Sequence, residues 1–346
     1  MKLLDESLKN VKITNDVGEA CFHVFDKDMI NAVNAALVIN RPLLIWGEPG
    51  IGKSQLARAV AKELGRAFLH FVADARTESR DLLYHFDAVA RLAEAQLHSH
   101  GQYRDPPKTK PNDEDKTDNC KDNSQCLCPK DPMAMENFIV PGRLWWALNW
   151  ESARQQARLC CREEPQQLEP ECDPHNGTVL LIDEIDKADT DVPNGLLEAL
   201  GASQFHPQGL DQPVQCQSAN KPLVMITTNE ERVLPDAFLR RCLSLHLSFP
   251  EDEEAQKEFL IQRALANFSL DKMVIGEAAA MLVEDRTEAK NNNRYPLPGQ
   301  AEFFDLLRGI ARLSQEQNRE PGDYIAMLRK FTYQKHPDFH RKEGKK

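Results

Sequence analysis

Gly47-Glu48-Pro49-Gly50-Ile51-Gly52-Lys53-Ser54 fits the spacing G-x-x-x-x-G-K-[ST]. Glycines at such intervals let successive backbone N–H groups curl around a polyphosphate, and a helix starting at the lysine aims its positive end at the same anion. Lys53 supplies a fixed cation for the β- and γ-phosphates, and the Ser54 hydroxyl is placed to ligate Mg²⁺. With Gln55 next in line, residues 47–55 form the candidate ATP and magnesium site. The plainer reading is a glycine-rich turn with an incidental lysine. The flanking strand and helix patterns weigh against it.

A second group follows at Val179-Leu180-Leu181-Ile182-Asp183-Glu184. A buried strand that ends in Asp183 carries its carboxylate to the carboxyl edge of a parallel sheet, beside such a loop. There Asp183 would hold Mg²⁺ through water, and Glu184 would polarise the attacking water. Asn229 closes another apolar run. Its amide could orient that water, or it could simply cap a turn. Arg240-Arg241 follows the helix-like segment Pro235–Leu239 and by itself reads as a solvated pair.

These residues need elements to hold them. Apolar runs at Leu43-Leu44-Ile45-Trp46, Phe68 to Val72, 179–182, 223–228 and 243–249 read as strands. Helical spacing over 28–39, 53–64 and 191–200 separates them, with Gly65 placed to end the second of these helices. Strands alternating with helices predict an α/β fold with a parallel sheet covered on both faces. After Pro250 the pattern turns wholly helical, at about 251–268, 276–290, 299–316 and 322–333. The expected organisation is a core at 1–250, a helical lid at 251–336 and a basic tail at 337–346.

The segment 99–136 is rich in proline and charge and poor in apolar residues, so it reads as an insertion without a packed core of its own. Cys120, Cys126, Cys128, Cys160, Cys161 and Cys172 fall in or near polar stretches, yet no pair has the usual zinc-knuckle spacing. Free thiols are expected. Trp145, Trp146 and Trp150 lie at helix-like spacing and suit either core packing or a contact surface.

The chain has 346 residues, with 43 Lys+Arg against 54 Asp+Glu, a net charge of -11 that disfavours a general nucleic-acid role. No apolar run is long enough to span a bilayer, and the charged N-terminus lacks the apolar core of a signal peptide, so a cytoplasmic protein without membrane contact is expected.

The order of these motifs resembles the AAA+ ATPases, and more finely the MoxR branch of the helix-two-insert clade. Asp183-Glu184-Ile185-Asp186-Lys187-Ala188 with Asn194 to Leu200, Phe138 to Leu148 with Pro141-Gly142, and Glu230 to Cys242 carry the likeness. It implies a P-loop αβα sandwich with a small helical lid. Asn229 takes the place of sensor 1. Arg241 takes the place of the arginine finger, with Arg240 assisting, and a finger acting in trans implies a homo-oligomeric ring, expected to be a hexamer. The family's sensor 2 arginine has no counterpart in Asn293-Arg294-Tyr295-Pro296-Leu297-Pro298-Gly299-Gln300, where Arg294 is the nearest substitute.

MoxR-type ATPases commonly act on protein partners such as von Willebrand factor A-domain proteins, so the resemblance implies a chaperone-like remodelling motor. A nucleic-acid translocase and a nucleotide-switched scaffold are the alternatives. An extended basic surface would favour the first of these. The intact set Glu184, Asn229 and Arg241 speaks against the second.

Overall fold

Five strands account for the position of the site. The computed structural model describes residues 2–15, 18–99, 131–216, 221–317 and 321–334. The chain opens with the hairpin β1 (Asn10–Thr14) and β2 (Ala20–Val24). Helix α1 (Lys27–Ile39) follows; Asp26 caps its start by accepting from the Met29 amide, and left-handed Asn40 closes it. Strand β3 (Leu43–Gly47), helix α2 (Lys53–Leu64) and strand β4 (Arg66–Val72) come next. Gly65, with φ 65°, ends α2 as the sequence predicts.

A short helix α3 (Ser79–Leu83) leads to strand β5 (Tyr84–Phe86) and helix α4 (Ala88–Ser99). Strand β6 (Ile139–Pro141) returns antiparallel to β5, so the insertion springs from the base of a hairpin. Most of that insertion, residues 100–130, lies outside the described residues, as does the basic tail.

Helices α5 (Arg143–Leu148) and α6 (Trp150–Leu159) precede strand β7 (Asp173–Asp183), helix α7 (Asp191–Ala202) and the small hairpin β8 (Gln204–Phe205) and β9 (Val214–Gln215). Strand β10 (Leu223–Thr228), helix α8 (Asp236–Leu239) and strand β11 (Leu243–Leu247) complete the α/β part. Helices α9 (Glu253–Asn267), α10 (Lys272–Asn291), α11 (Gln300–Gln317) and α12 (Ile325–Thr332) form the helical part.

The sheet is fully parallel, in the order β11-β3-β10-β7-β4. Its central strands are apolar on both faces because helices cover both. Leu43, Ile45, Val179, Leu181 and Met225 face α1, α2, the first hairpin and the helical part, within one apolar cluster. Leu44, Leu180, Ile182, Val224 and Ile226 face the opposite way, onto Trp145, Trp146, Leu196 and Phe238. Each such side chain contributes roughly 1.5–3 kcal/mol on burial. That apolar burial, and not the polar site residues, fixes where the strands end. Trp145 and Trp146 are core residues, and Trp150 packs against them.

Strand β7 starts earlier than the apolar run that announces it, because Asp173 pairs with Arg66 across an irregularity in β4. Helix α10 likewise starts before the expected 276. Asp271 caps it by accepting from the Met273 amide. The last expected helix is shorter, with a 3₁₀ turn over Pro321–Tyr324 before α12. Among the described residues no helix is long and apolar enough to cross a membrane.

His23 on β2 is a buried imidazole whose Nε2 has no hydrogen-bond partner among the described residues. Burial, reinforced by the Arg263 guanidinium, lowers its pKa to about 3. Between that value and the ordinary 6.5, the unfolded chain binds a proton that the folded chain refuses. Stability therefore falls as pH drops below 6.5. From pH 7.5 to 5.5 the loss should be about 1.4 kcal/mol, and His23→Leu should remove that share of the pH dependence. Urea midpoints of both proteins at the two pH values check this.

Candidate nucleotide site

The registers of β3, β7 and β10 bring their carboxyl ends to one edge of the sheet. Thr228 pairs with Trp46, and Ile226 with Ile182. Gly47, Asp183 and Asn229 therefore emerge side by side. Within the loop after β3, Gly50 and Gly52 take φ of 78° and 103°, a backbone only glycine adopts cheaply. A Cβ on Gly50 would also lie 2.7 Å from that of Ala301 on α11, so the helical part packs directly on this loop.

Lys53 is buried, and its Nζ donates to Gly47 O, to Glu48 O at 3.1 Å and to Asn229 Oδ1 at 2.6 Å. Burial lowers its pKa, partly offset by Asp183, Asp186, Glu184 and Glu230 around it. Ser54 Oγ donates to Asp183 Oδ2 at 2.7 Å. Thr227 Oγ1 donates to the other oxygen of that carboxylate, and His70 Nε2 lies 3.3 Å from Oδ2. Burial pushes the Asp183 pKa up, but the hydrogen bonds from His70, Thr227 and Ser54 outweigh it and hold the carboxyl at about 2. Asp183 is thus an anion at any physiological pH.

Glu184 sits beyond it in a left-handed conformation, φ 57°, with its amide donating to Thr227 Oγ1 at 2.9 Å. One carboxylate oxygen accepts from Asn229 Nδ2 at 3.3 Å, and the other pairs with Lys187 Nζ at 2.6 Å. Asn229 therefore links Lys53 to Glu184. Its own position is set by Asp186, whose Oδ2 accepts from the amides of Asn229 and Glu231 at 3.1 and 2.9 Å.

Lys53, Ser54, Asp183, Glu184 and Asn229 line a cleft of about 360 Å³. Its floor includes Pro49, Gly50, Gly52, Lys53, Ser54 and Gln55, with Asp183, Glu184 and Asn229 on one side. The opposite wall is one face of α11: Gln300, Ala301, Phe304, Asp305 and Arg308. Helix α10 fastens the same region. Arg286 Nη2 meets both Glu48 carboxylate oxygens, at 2.6 and 2.8 Å, and its guanidinium stacks over Phe249 at 4.5 Å.

The family profile of the AAA domain, dynein-related subfamily, matches residues 42–242, more than half of the chain. The chain belongs to this AAA family. Among solved structures, it is similar to a point mutant of RuvB from Thermotoga maritima, with a TM-score of 0.45 and 16% identity over 88% of this chain and 68% of that one. No curated protein sequence matches it.

Two predicted residues of this AAA domain stand apart from the cleft. Arg240 and Arg241 are exposed; Arg241 Nη1 donates to Ala237 O at 3.1 Å within its own helix turn, and Arg240 O accepts from Arg41 at 3.4 Å. Neither lines the cleft of its own chain. Arg294 is not the cleft's lid-side arginine. It is buried at the end of α10 and bound to Glu288 Oε1 at 3.1 Å. Arg308 occupies the wall instead, held by Asp305 Oδ1 at 2.9 Å. The sequence carried a signal for it, since 300, 301, 304, 305 and 308 share one helical face. Cys160, Cys161 and Cys172 are free thiols, and Cys120, Cys126 and Cys128 lie outside the described residues. Among the described residues, no group of three His, Cys, Asp or Glu is placed to hold a metal.

Proposed function

We propose that this AAA domain binds ATP with Mg²⁺ in the cleft and hydrolyses it, as the motor of a MoxR-type remodelling ATPase. The observation that carries the reading is the convergence of two side-chain pairs on one glycine loop. Ser54 and Asp183 lie 2.7 Å apart, and Glu184 and Asn229 lie 3.3 Å apart.

The donor set fits magnesium. A hydroxyl and an ionised carboxylate are hard oxygen ligands, and Mg²⁺ takes its remaining positions from phosphate and water. Bound there, the ion would neutralise charge on the β- and γ-phosphates. Lys53 has three N–H donors and three protein acceptors, so it reaches a phosphate by exchanging one of them. Backbone amides of Gly50 to Ser54 would cradle the β-phosphate. A water held between Glu184 and Asn229 attacks the γ-phosphorus in line. The new P–O bond forms as the bond to the β–γ bridging oxygen breaks. ADP leaves with that electron pair, and the water's proton passes to Glu184 and on to phosphate.

Arg241 and Arg240, exposed and away from their own cleft, suit delivery to a neighbouring subunit in a homo-oligomeric ring, which we take to be a hexamer. The helical part at 251–336 then acts as a lid on the core, joined to it through Arg286 and α11. A protein partner, of the von Willebrand factor A-domain kind, is the substrate side of this reading.

Lys53→Ala tests the site directly. Equilibrium titration with a fluorescent ATP analogue and Mg²⁺ should show saturable binding by the wild-type protein and at least roughly 100-fold weaker binding by the variant, because the polyphosphate loses its fixed counter-charge. Equal affinities would remove the glycine loop from the reading.

A further inference from the structure

Among the described residues, the Asp183 carboxylate takes side-chain donors from three elements: Ser54 on α2, Thr227 on β10 and His70 on β4. Two of these donors have a second role. Ser54 is a prospective ligand of the ion, and Thr227 also accepts from the Glu184 amide. His70 has no part in the nucleotide reading so far. Among the described residues, Asp183 Oδ2 is the only group to which its ring hydrogen-bonds.

The sheet builds this contact. Val72 pairs with Asp183 and His70 with Leu181, so His70 starts two residues, about 6.6 Å, back from the edge where the carboxylate emerges. Only a long side chain covers that distance; a serine or threonine at 70 would fall short. The Ala73 amide donates to Asp183 O at 2.9 Å, which locks the two strand ends together and fixes the span the ring has to bridge. The His70 side chain is 26% exposed, with the Phe68 ring beside it at 6.1 Å. Asp183 is an anion and can only accept, so Nε2 carries the proton in this contact.

We infer that His70 is a positioning residue for the metal: its Nε2–H keeps Asp183 Oδ2 aimed at the Ser54 hydroxyl, where the water shell of Mg²⁺ would be received. This rests on the nucleotide reading. A free carboxylate turns about its Cβ–Cγ bond. Donors on both oxygens, Thr227 on one and His70 with Ser54 on the other, remove that freedom before the ion arrives. Once Ser54 Oγ turns a lone pair to the ion, His70 is the donor to Oδ2 that stays as it was. Partners that orient a metal's ligands typically contribute roughly 10–100-fold in metal affinity.

The readout is the coupling of Mg²⁺ to nucleotide binding, not turnover. Dissociation constants of a fluorescent ATP analogue are measured in excess MgCl₂ and in excess EDTA for the wild-type chain, His70→Leu and His70→Gln. By linkage, the tightening from EDTA to MgCl₂ reports metal affinity in the complex. His70→Leu keeps the bulk and loses the donor, whereas His70→Gln places an N–H near the position of Nε2. The constants in EDTA should agree across the three proteins. The tightening should shrink by roughly tenfold or more in His70→Leu and be kept in His70→Gln. Should His70→Leu not fold, His70→Asn, whose amide stops short of Oδ2, takes its place. Three results would overturn the inference while leaving the nucleotide reading intact: wild-type tightening in His70→Leu, a His70→Gln protein as impaired as His70→Leu, or a loss of equal size in EDTA. The last two would mark His70 as a packing residue. A wild-type chain that Mg²⁺ does not tighten at all would overturn the nucleotide reading and the inference together.

Discussion

Arg241→Ala should bind ATP as the wild-type chain does and hydrolyse it on the order of 10³-fold more slowly, within the range an arginine finger supplies. The side chain is exposed and, among the described residues, hydrogen-bonds only to its own helix turn, so its loss should cost little stability. It does not line its own cleft, so nucleotide affinity in the isolated subunit should be unchanged. The diagnostic result comes from mixing. Arg241→Ala and Glu184→Gln should each be nearly inactive alone. Together they should regain activity, because a mixed ring contains interfaces where Glu184 comes from the first parent and Arg241 from the second. Phosphate release from the two variants at varied ratios measures this. An Arg241→Ala protein with full activity would remove the finger, and Arg240→Ala would then be the variant to examine.

Glu184→Gln should separate binding from turnover. The amide keeps the side chain's length, and its oxygen can still accept from Asn229 Nδ2 or Lys187 Nζ. Lys53, Ser54 and Asp183, which would hold the phosphates and the ion, are untouched. What disappears is the group that takes the water's proton, a contribution of roughly 10²–10⁴ in rate. Single-turnover hydrolysis of bound ATP should slow by that factor while the dissociation constant stays within about threefold of wild type. A large loss of affinity instead would mean that Glu184 holds the ion and not the water.

The parts of this site that the sequence exposes are those written in consecutive residues. The glycine loop, the Asp183-Glu184 pair and Asn229 each follow a strand that is apolar throughout because both its faces are covered. Gly65 marks a helix end by local backbone chemistry. What stays hidden is non-local or one-sided. The first hairpin buries only alternate residues over five-residue strands, a signal too short to stand out. The pairing of β5 with β6 spans the whole insertion, so no window of sequence contains it. Glu48 reads as one position of the glycine loop, and nothing in that motif announces its pairing with Arg286, which α10 brings to it. Arg294 is the nearer arginine in the chain, but the end of α10 turns it to Glu288, and Arg308 reaches the cleft from two turns into α11. Thr227 reads as the end of an apolar strand, yet its hydroxyl bonds both the Glu184 amide and the Asp183 carboxylate.

Hydrolysis of ATP in the cleft between Ser54, Asp183 and Glu184 would tie phosphate release to bound Mg²⁺ and to assembly of the ring. Phosphate release by the purified wild-type chain, followed with Mg²⁺ and then with excess EDTA over a range of protein concentrations, tests it most directly. Release should require Mg²⁺, stop on chelation and rise per chain as concentration favours the ring. No release at any concentration, or release that EDTA leaves unchanged, would contradict it.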